Sequence, residues 1–255
     1  MKPRIKIDTV IPLDSLGTSY GSWKVPENFL DENSVCYFAG AGIDISFDVE
    51  VAKRYHSTVH IIDPTPKARE HYDLLVDKTR KGEKLEIENK RGLFYDVDPE
   101  SLHKIINEKM GEWKEDNIQK FYVPGKTDMI SHSILNIHKT EDFFQAEVVK
   151  PSTLMNRLNH NHIDYLKLDI EGAEYDVIES IIEDNLDIRI IAVEYDEVHH
   201  PIDKNSIERI EDSIRKLKDF GYLVIDIDSN YNVSFMKKSY FRDKYPDEYL
   251  ILGDV

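Results

Sequence analysis

Acidic residues collect where an apolar strand pattern gives way to a helical pattern, in the run LKLDIEGAE at residues 166–174. Leu166 and Leu168 alternate with polar residues as far as Asp169 and Glu171, as in a β-strand. Ligands of open parallel α/β sheets bind just beyond the carboxyl ends of the strands, so these two carboxylates could serve there as catalytic acids or bases. The alternative is that both acids only stabilise the N-terminus of the following helix. That helix is predicted from apolar residues at helical spacing: Ala173, Val177, Ile178, Ile181 and Ile182.

A second apolar strand pattern also ends in acids, at Glu194 and Asp196. If the two strands are neighbours, Asp169 and Glu194 meet at one edge of the sheet, where oxygen ligands would suit Mg²⁺ or a similar hard cation. One of the carboxylates Asp169, Glu171 and Glu194 could instead act as a general base without metal, and His132 is the alternative base. Because the sequence offers no third metal ligand at an evident spacing, we favour the metal-free base.

A glycine-containing loop follows the first long strand pattern, at residues 34–38. Its glycines allow the backbone to turn sharply and approach a cofactor, beside the unpaired N–H groups of the next helix. Asp44 occupies the third glycine position of the dinucleotide fingerprint, and a carboxylate there would oppose a pyrophosphate. A nicotinamide-dependent dehydrogenase is therefore the least favoured enzyme class. The loop residues that we expect to contact a cofactor are Ala39, Gly40, Ala41 and Gly42.

Asp63 ends the next strand pattern, at residues 58–63, about twenty residues beyond the glycine loop. An acid at this position grips ribose hydroxyls in nucleoside-binding α/β folds, although Asp63 could also be a simple helix N-cap. Pro64 follows directly, and Pro66 suits the first turn of a helix. We therefore predict that Asp63 binds a ribose.

Three further segments have less decisive patterns. Residues 10–30 hold two glycines, two prolines, Tyr20 and Trp23, which predicts an ordered non-repetitive arm that covers a ligand or only anchors itself on the core. Asp98 and Pro99 begin a helical pattern that extends through Ile106. Residues 131–133, Ser-His-Ser, line a site or satisfy their own backbone as a polar loop.

The length, composition and net charge of the chain exclude several classes of function. A chain of 255 residues with 40% hydrophobic content fits one α/β domain, which we place at residues 34–255 behind an arm at residues 1–33. The formal net charge of -16 opposes binding to nucleic acid and to anionic membranes. One cysteine, Cys36, excludes an internal disulfide. No signal-peptide pattern or membrane-spanning apolar run is evident, so we expect a cytoplasmic protein.

Alternating strands and helices closed by a C-terminal antiparallel hairpin predict a Rossmann-like, doubly wound α/β fold with a mostly parallel sheet. This pattern resembles the class I methyltransferases, and the resemblance implies a sheet of seven strands. The sequence also resembles the FkbM family of methyltransferases that use S-adenosyl-L-methionine (SAM). The resemblance covers nearly the whole chain and rests on five segments, residues 20–23, 38–48, 63–66, 130–134 and, most specific, 166–174.

The resemblance implies O-methylation of a hydroxyl on a sugar, a glycan or a natural product, with SAM as methyl donor and a divalent cation as an open possibility. It implies that Ala39 to Gly42 and Asp44 hold the methionine end, and that Asp63 holds the ribose. The remaining residues assigned to the cofactor site are Pro64, Ser131 and Tyr20. A small-molecule or glycan partner follows, and neither nucleic acid nor membrane is expected. The alternative is a non-catalytic SAM-binding or nucleoside-binding domain of the same fold.

Overall fold

The computed structural model describes residues 2–123, 132–137 and 139–245. Its centre is a seven-stranded sheet with the strand order β11-β12-β10-β9-β3-β4-β5. All neighbouring strands from β10 to β5 pair in parallel, and β12 runs antiparallel to both of its neighbours. The predicted mostly parallel sheet with a C-terminal hairpin is confirmed. Its strands are β3 (Val35–Ala39), β4 (Thr58–Ile62), β5 (Ile105–Asn107), β9 (Ile163–Leu168), β10 (Ile188–Glu194), β11 (Tyr222–Ile227) and β12 (Asn232–Lys237).

Helices cover both faces of this sheet, as a doubly wound fold requires. Side chains of α1, α2 and α7 join the core on one face, and those of α4, α5 and α6 join the core on the other. None of the helices within the described part of the chain is long and apolar enough to cross a membrane. The helices are α1 (Ser46–Tyr55), α2 (Pro66–Arg80), α3 (Pro99–Leu102), α4 (Pro151–Leu158), α5 (Glu174–Glu183), α6 (Ser206–Asp219) and α7 (Lys238–Lys244).

Strand β9 is buried along its whole length, because it lies in the middle of the sheet with helices on both faces. The alternation of Leu and polar residues in its sequence therefore does not mark a solvent face. Asp164 is compensated by the backbone N–H of Val35 at 2.8 Å and by the guanidinium of Arg189. Lys167 lies near the carboxyl end of the strand and contacts residues there. These contacts are described with the candidate active site.

A second, three-stranded sheet lies beside the main one, with the order β6-β8-β7. Trp113, Phe121 and Val148 of this sheet pack together with Ala173, the residue before α5. The small sheet is thus attached next to the turn that follows β9. Its strands are β6 (Gly111–Glu112), β7 (Asn117–Tyr122) and β8 (Phe143–Val149).

The segment at residues 10–30 is more regular than its sequence predicts. It forms an antiparallel hairpin of β1 (Leu13–Leu16) and β2 (Trp23–Pro26), with Trp23 paired opposite Leu16. Leu16, Trp23 and Val25 are buried in the core that also contains α1. The glycines and prolines suggested irregular structure, but packing of alternate side chains against α1 stabilises the strands.

The helix predicted from Asp98 through Ile106 ends early. Asp98 caps α3 by accepting a hydrogen bond from the backbone N–H of Ser101 at 2.8 Å. The chain then enters β5 at Ile105, which pairs in parallel with Val59 of β4. Pairing with the edge of the parallel sheet overrides the helical spacing of the apolar residues.

Glu112 is a buried carboxyl, and neither of its oxygens has a hydrogen-bond partner among the residues that the structure describes. Burial raises the pKa of Glu112 to about 8. The folded protein therefore holds a proton that the unfolded chain has released, and stability falls as the pH rises from the ordinary glutamate range through about 8. We expect Glu112→Gln, which is always neutral, to lose on the order of 4 kcal/mol of this pH dependence in urea unfolding between about pH 5 and pH 9.

Glu115→Gln is the matched control, because Glu115 is exposed on the same segment. That variant should keep the pH dependence of the wild type. Equal pH profiles for Glu112→Gln and the wild type would show that the Glu112 carboxyl is hydrated.

Candidate active site

The glycine loop after β3 lies directly against the end of β9. The backbone N–H of Asp169 donates to the carbonyl of Ala39 at 3.1 Å. Gly40 has a φ of +79°, and a Cβ at this position would lie 1.7 Å from the carbonyl oxygen of Asp169. Glycine is therefore required at residue 40 by the closeness of two backbones. The predicted cofactor loop and the predicted catalytic carboxylate are thereby brought side by side.

Asp63 is buried and holds the shape of this loop. One carboxylate oxygen accepts from the backbone N–H groups of Ala41 at 2.9 Å and Gly42 at 3.1 Å, and the other accepts from Thr65 at 2.8 Å. A carboxylate has about four lone-pair sites, so one remains for a further donor. Pro64, also buried, follows at the same turn. The sequence did not predict that the loop N–H groups donate to Asp63.

Asp44 anchors the N-terminal hairpin to the same loop. Its carboxylate accepts from the hydroxyl of Thr18 at 2.6 Å and from the backbone N–H of Ser46 at 3.0 Å. The backbone N–H of Thr18 in turn donates to the hydroxyl of Ser46 at 2.8 Å. The connection between β1 and β2 is thereby fixed at the N-terminus of α1, next to the glycine loop.

Tyr20 lies on that connection and faces the acidic edge of the sheet. Its side chain is 74% exposed. The pKa of its hydroxyl is raised, first by partial burial of that group and then by the negative charges of Asp169 and Glu194. The predicted cofactor residue Tyr20 and the predicted catalytic Asp169 therefore belong to one region.

Three carboxylates converge at the ends of β9 and β10. Asp169, Glu194 and Asp196 each offer an oxygen, and these oxygens lie within 4.8 Å of one another. No other group of three His, Cys, Asp or Glu side chains within residues 2–123, 132–137 and 139–245 meets this criterion. Asp196 is a third carboxylate in this group, which the sequence analysis did not include among the candidate metal ligands. It begins a 3-10 turn, Asp196–Val198, that folds back at the end of β10.

The close approach of these acids changes their protonation. The pKa of Glu194 is strongly raised by burial, by the charge of Asp169 and by a hydrogen bond with Asp169. Burial and the charges of Glu171 and Asp169 also raise the pKa of Asp196. Like charges at this distance cannot all remain ionised without a compensating cation. The raised pKa values therefore favour the protonated forms of Glu194 and Asp196, and a positively charged ligand would favour their ionised forms.

Lys167 supplies a buried positive charge that the sequence reading did not assign. Its ammonium donates to the carbonyl of Gly40, lies 3.3 Å from Asp169 Oδ2 and sits 5.4 Å from the ring centre of Trp23. Burial lowers the pKa of Lys167, but the charges of Asp169 and Asp48 outweigh it and the pKa is raised overall. One ammonium thus links the glycine loop, the acidic edge and the N-terminal hairpin.

The remaining predicted residues lie around the turn after β9. Glu171 has a φ of +56°, and its carbonyl accepts from the hydroxyl of Ser133 at 2.7 Å. His132 packs edge to face on Phe144 of β8, with ring centres 5.6 Å apart. Glu171 and His132 are outside the group of three carboxylates. Ser131 lies outside the described residues.

This arrangement places a glycine loop, the buried acid Asp63 and a carboxylate group at one edge of a parallel sheet. Such an edge is where α/β folds bind nucleosides. The carboxylates can hold a hard cation, accept a proton from a hydroxyl or stabilise a cationic ligand. These three capacities suit transfer chemistry at a hydroxyl group.

Comparisons with known proteins found solved structures that are similar to this chain at low sequence identity. A search of curated proteins returned no match to the sequence. Among solved structures, the chain is similar to the Methanococcus jannaschii fibrillarin pre-rRNA processing protein, with 13% identity, 82% of this chain and 68% of that chain covered, and a TM-score of 0.42. It is also similar to precorrin-6y C5,15-methyltransferase from Geobacter metallireducens GS-15, with 10% identity, 82% and 83% covered, and a TM-score of 0.39.

The sequence profile described as "Methyltransferase FkbM domain" matches residues 38–224. The match spans the glycine loop, Asp63, the carboxylate group and Lys167. It begins at Phe38 in β3 and ends at Val224 in β11, so it includes the parallel core of the sheet. The predicted family is confirmed: the chain belongs to the FkbM family of methyltransferases.

Proposed function

We propose that this methyltransferase transfers the methyl group of SAM to a hydroxyl oxygen of a sugar, a glycan or a natural product. The observation that carries the proposal is the group of three carboxylates, Asp169, Glu194 and Asp196, beside the glycine loop. An alcohol must lose its proton as it attacks, so its methylation needs a base or a metal ion at the reacting atom. The carboxylate group provides for either.

The sequence also favours oxygen over nitrogen as the acceptor atom. Many amide and base N-methyltransferases carry an Asn/Asp-Pro-Pro-Tyr segment, and this chain has none. A motif of that kind accepts hydrogen bonds from an amino group, whereas a carboxylate can take up the proton of a hydroxyl. Both features support the same acceptor class.

SAM is the usual cofactor of methyltransferases of this family, and when bound it supplies an electrophilic methyl group on a sulfonium. The backbone of Ala39 to Gly42 and the carboxylate of Asp44 are assigned to the methionine end, and the free lone-pair site of Asp63 to the ribose. Pro64 and Tyr20 complete the described part of this site. The glycine loop, held in shape by Asp63 beside the carboxyl edge of the sheet, makes the residues present a fit for this cofactor. Ser131 stays a prediction.

For proton removal we assign Asp169 as the general base. A protonated Glu194 can donate a hydrogen bond to Asp169, which leaves the negative charge on Asp169. In the alternative arrangement, Asp169, Glu194 and Asp196 bind a divalent cation such as Mg²⁺, which lowers the pKa of the acceptor hydroxyl. Glu171 and His132 are second candidates for the base.

The acceptor is proposed to be neutral or weakly charged, because the net charge of -16 repels polyanions. For the same reason we propose no nucleic acid partner and no binding to anionic membranes. We place the reaction in the cytoplasm.

The proposal is tested by methyl transfer from radiolabelled SAM to a panel of neutral sugars, neutral natural-product alcohols and matched amines. We expect label in hydroxyl compounds and none in the amines, because the negative carboxylates stabilise an amine as its ammonium ion, which has no lone pair to attack the methyl group. Transfer to amines alone would overturn the assignment to oxygen. Tight SAM binding with no transfer to any member would favour the non-catalytic alternative.

Asp63→Ala serves as the cofactor control in this assay. It should weaken SAM binding by about 1.5–3 kcal/mol in calorimetry, because a charge-assisted hydrogen bond is lost and the loop amides lose their acceptor. Asp77→Ala, in an exposed ion pair with Lys81, should bind SAM as the wild type does.

A further inference from the structure

A cavity of about 400 Å³ lies between α5 and α6, outside the site described so far. Its lining includes Gly172 and Tyr175 from the start of α5, and Arg209 from α6. Leu135, next to the small sheet, and Ile202, in the loop before α6, complete its mouth. Cavities that bind small molecules have volumes of about 300–1,000 Å³, so this one is large enough for one or two sugar-sized rings.

The cavity begins directly beside the carboxylate edge. Gly172 follows Glu171 in sequence, and Glu197 in the cavity wall follows Asp196. Gly172 has a φ of +95°, and a Cβ there would lie 3.2 Å from Leu135 and 3.6 Å from Ile202. A side chain at Gly172 would therefore crowd Leu135 and Ile202, which line the cavity beside it.

The ionic side chains of the wall neutralise one another. Glu197 is nearly fully buried and is held by Arg209, whose Nε donates to Oε1 at 2.9 Å. Every acidic residue of the lining has a cationic partner, so the cavity offers hydrogen-bond donors and acceptors without a free charge for an ionic ligand. The other pairs are Asp176 with Lys114, Glu179 with Lys216 and Asp212 with Arg215.

Apolar groups occupy the rest of the wall. Ile202 is 44% exposed although it is a large aliphatic residue, and Leu135 faces it across Gly172. The ring of Tyr175 lies under the guanidinium of Arg209, 5.9 Å from its centre. A wall that combines aliphatic and aromatic carbon with paired charges matches a ring that carries C–H groups on its faces and hydroxyls at its edge.

We propose that this cavity binds a non-reacting sugar ring of the acceptor, next to the ring whose hydroxyl is methylated. The inference rests on the proposed function and adds a binding subsite to it. The hydroxyls of the bound ring donate to carboxylates such as Asp212 and accept from Arg209, and its C–H face packs on Ile202 and Leu135. An oligosaccharide is then preferred to its monosaccharide, because binding at the cavity holds the reacting hydroxyl in place.

Binding is tested without catalysis, by NMR of isoleucine δ1 methyl groups during titration with cellobiose, maltose or N-acetylchitobiose. We expect the signals of Ile178 and Ile202, both in the cavity wall, to shift with at least one of these disaccharides. Ile202→Trp fills the mouth and should weaken this binding at least about tenfold. Ile118→Trp is the matched control, because Ile118 is 61% exposed on β7. No shift with any of the three disaccharides, or tighter binding of glucose 1-phosphate than of all three, would overturn the subsite.

Kinetics separates this inference from the proposed function. For a hydroxyl acceptor that is methylated, kcat/KM should be higher for the disaccharide than for its monosaccharide, and Ile202→Trp should remove that difference while SAM affinity stays unchanged. Methylation with no such difference contradicts the subsite and leaves O-methylation standing. Disaccharide binding at Ile178 with no methylation of any hydroxyl compound supports the subsite and contradicts the proposed function.

Discussion

Asp169→Asn is expected to reduce turnover by about 10²–10⁴-fold while SAM affinity stays near that of the wild type, because the amide cannot accept the proton of the acceptor hydroxyl. The amide keeps the size of the side chain and one oxygen toward Lys167. The loop contact through the backbone N–H of Asp169 is unaffected. Single-turnover rates on an accepted hydroxyl compound, with calorimetry of SAM binding, measure the two effects separately.

Controls for this variant come from both sides of the site. Asp77→Asn, exposed on α2, should leave turnover unchanged. Glu171→Gln and a substitution of His132 test the two other candidate bases, and neither should match the loss in Asp169→Asn. A variant Asp169→Asn with wild-type turnover would remove Asp169 from the chemistry.

Exhaustive EDTA treatment decides between the two uses of the carboxylates. If Asp169 acts alone as the base, activity survives chelation, and Asp196→Asn has a smaller effect than Asp169→Asn. If the three oxygens hold Mg²⁺, chelation abolishes activity and added Mg²⁺ restores it, because hard cations with oxygen ligands exchange readily with solution. The sequence alone favours the metal-free base, because it shows no third ligand at an evident spacing. Asp196 is a third carboxylate at the site, so this reason no longer holds.

The parallel core was predictable because its strands are apolar runs that end in glycine or acid. The sequence placed strands at residues 34–38 and 58–63, and the structure forms β3 at Val35–Ala39 and β4 at Thr58–Ile62. Pro66 takes the first helical position of α2, as its fixed φ predicts. Gly221 follows α6 with a φ of +101°, the conformation in which helices commonly end.

Tertiary contacts determine the secondary structure of the segments that were wrongly predicted from the sequence. The hairpin of β1 and β2 depends on packing against α1, and β5 depends on pairing with β4, so local spacing could not reveal either. In the site, the end residues of β9 and β10 were predicted to converge from strand order alone. The position of Asp196 depends on a turn beyond the strand, which spacing does not specify.

Lys167 shows the limit of alternation most clearly. A lysine between two leucines predicts a solvent-facing position in a half-buried strand, but β9 is covered on both faces and Lys167 is 5% exposed. Its ammonium then has to be satisfied within the protein, by the carbonyl of Gly40 and the carboxylate of Asp169. Because the strand is buried on both faces, Lys167 is part of the site and not a solvent-facing side chain.

Lys167→Met is expected to destabilise the protein by about 3–5 kcal/mol, because it leaves the buried Asp48 and the partly buried Asp169 without their cation. For a chain of this size, that corresponds to a fall in Tm of roughly 6–20 °C. SAM binding and turnover should also fall, since Gly40 loses the donor that holds the loop. Thermal unfolding, calorimetry with SAM and turnover of the folded variant measure these effects.

Two further lysine variants distinguish the effect of removing the buried charge of Lys167 from the effect of removing any lysine. Lys78→Met removes an exposed ion pair with Glu83 and should change stability by at most about 1 kcal/mol. Lys167→Arg keeps the charge but not the compact ammonium, so it should retain more stability than Lys167→Met and still bind SAM less tightly than the wild type. If Lys167→Met melts and binds SAM as the wild type does, the ammonium holds neither the loop nor Asp169. Because the same nitrogen contacts both, a loss of stability should be accompanied by a loss of SAM affinity, whereas a purely structural lysine would lower only the Tm.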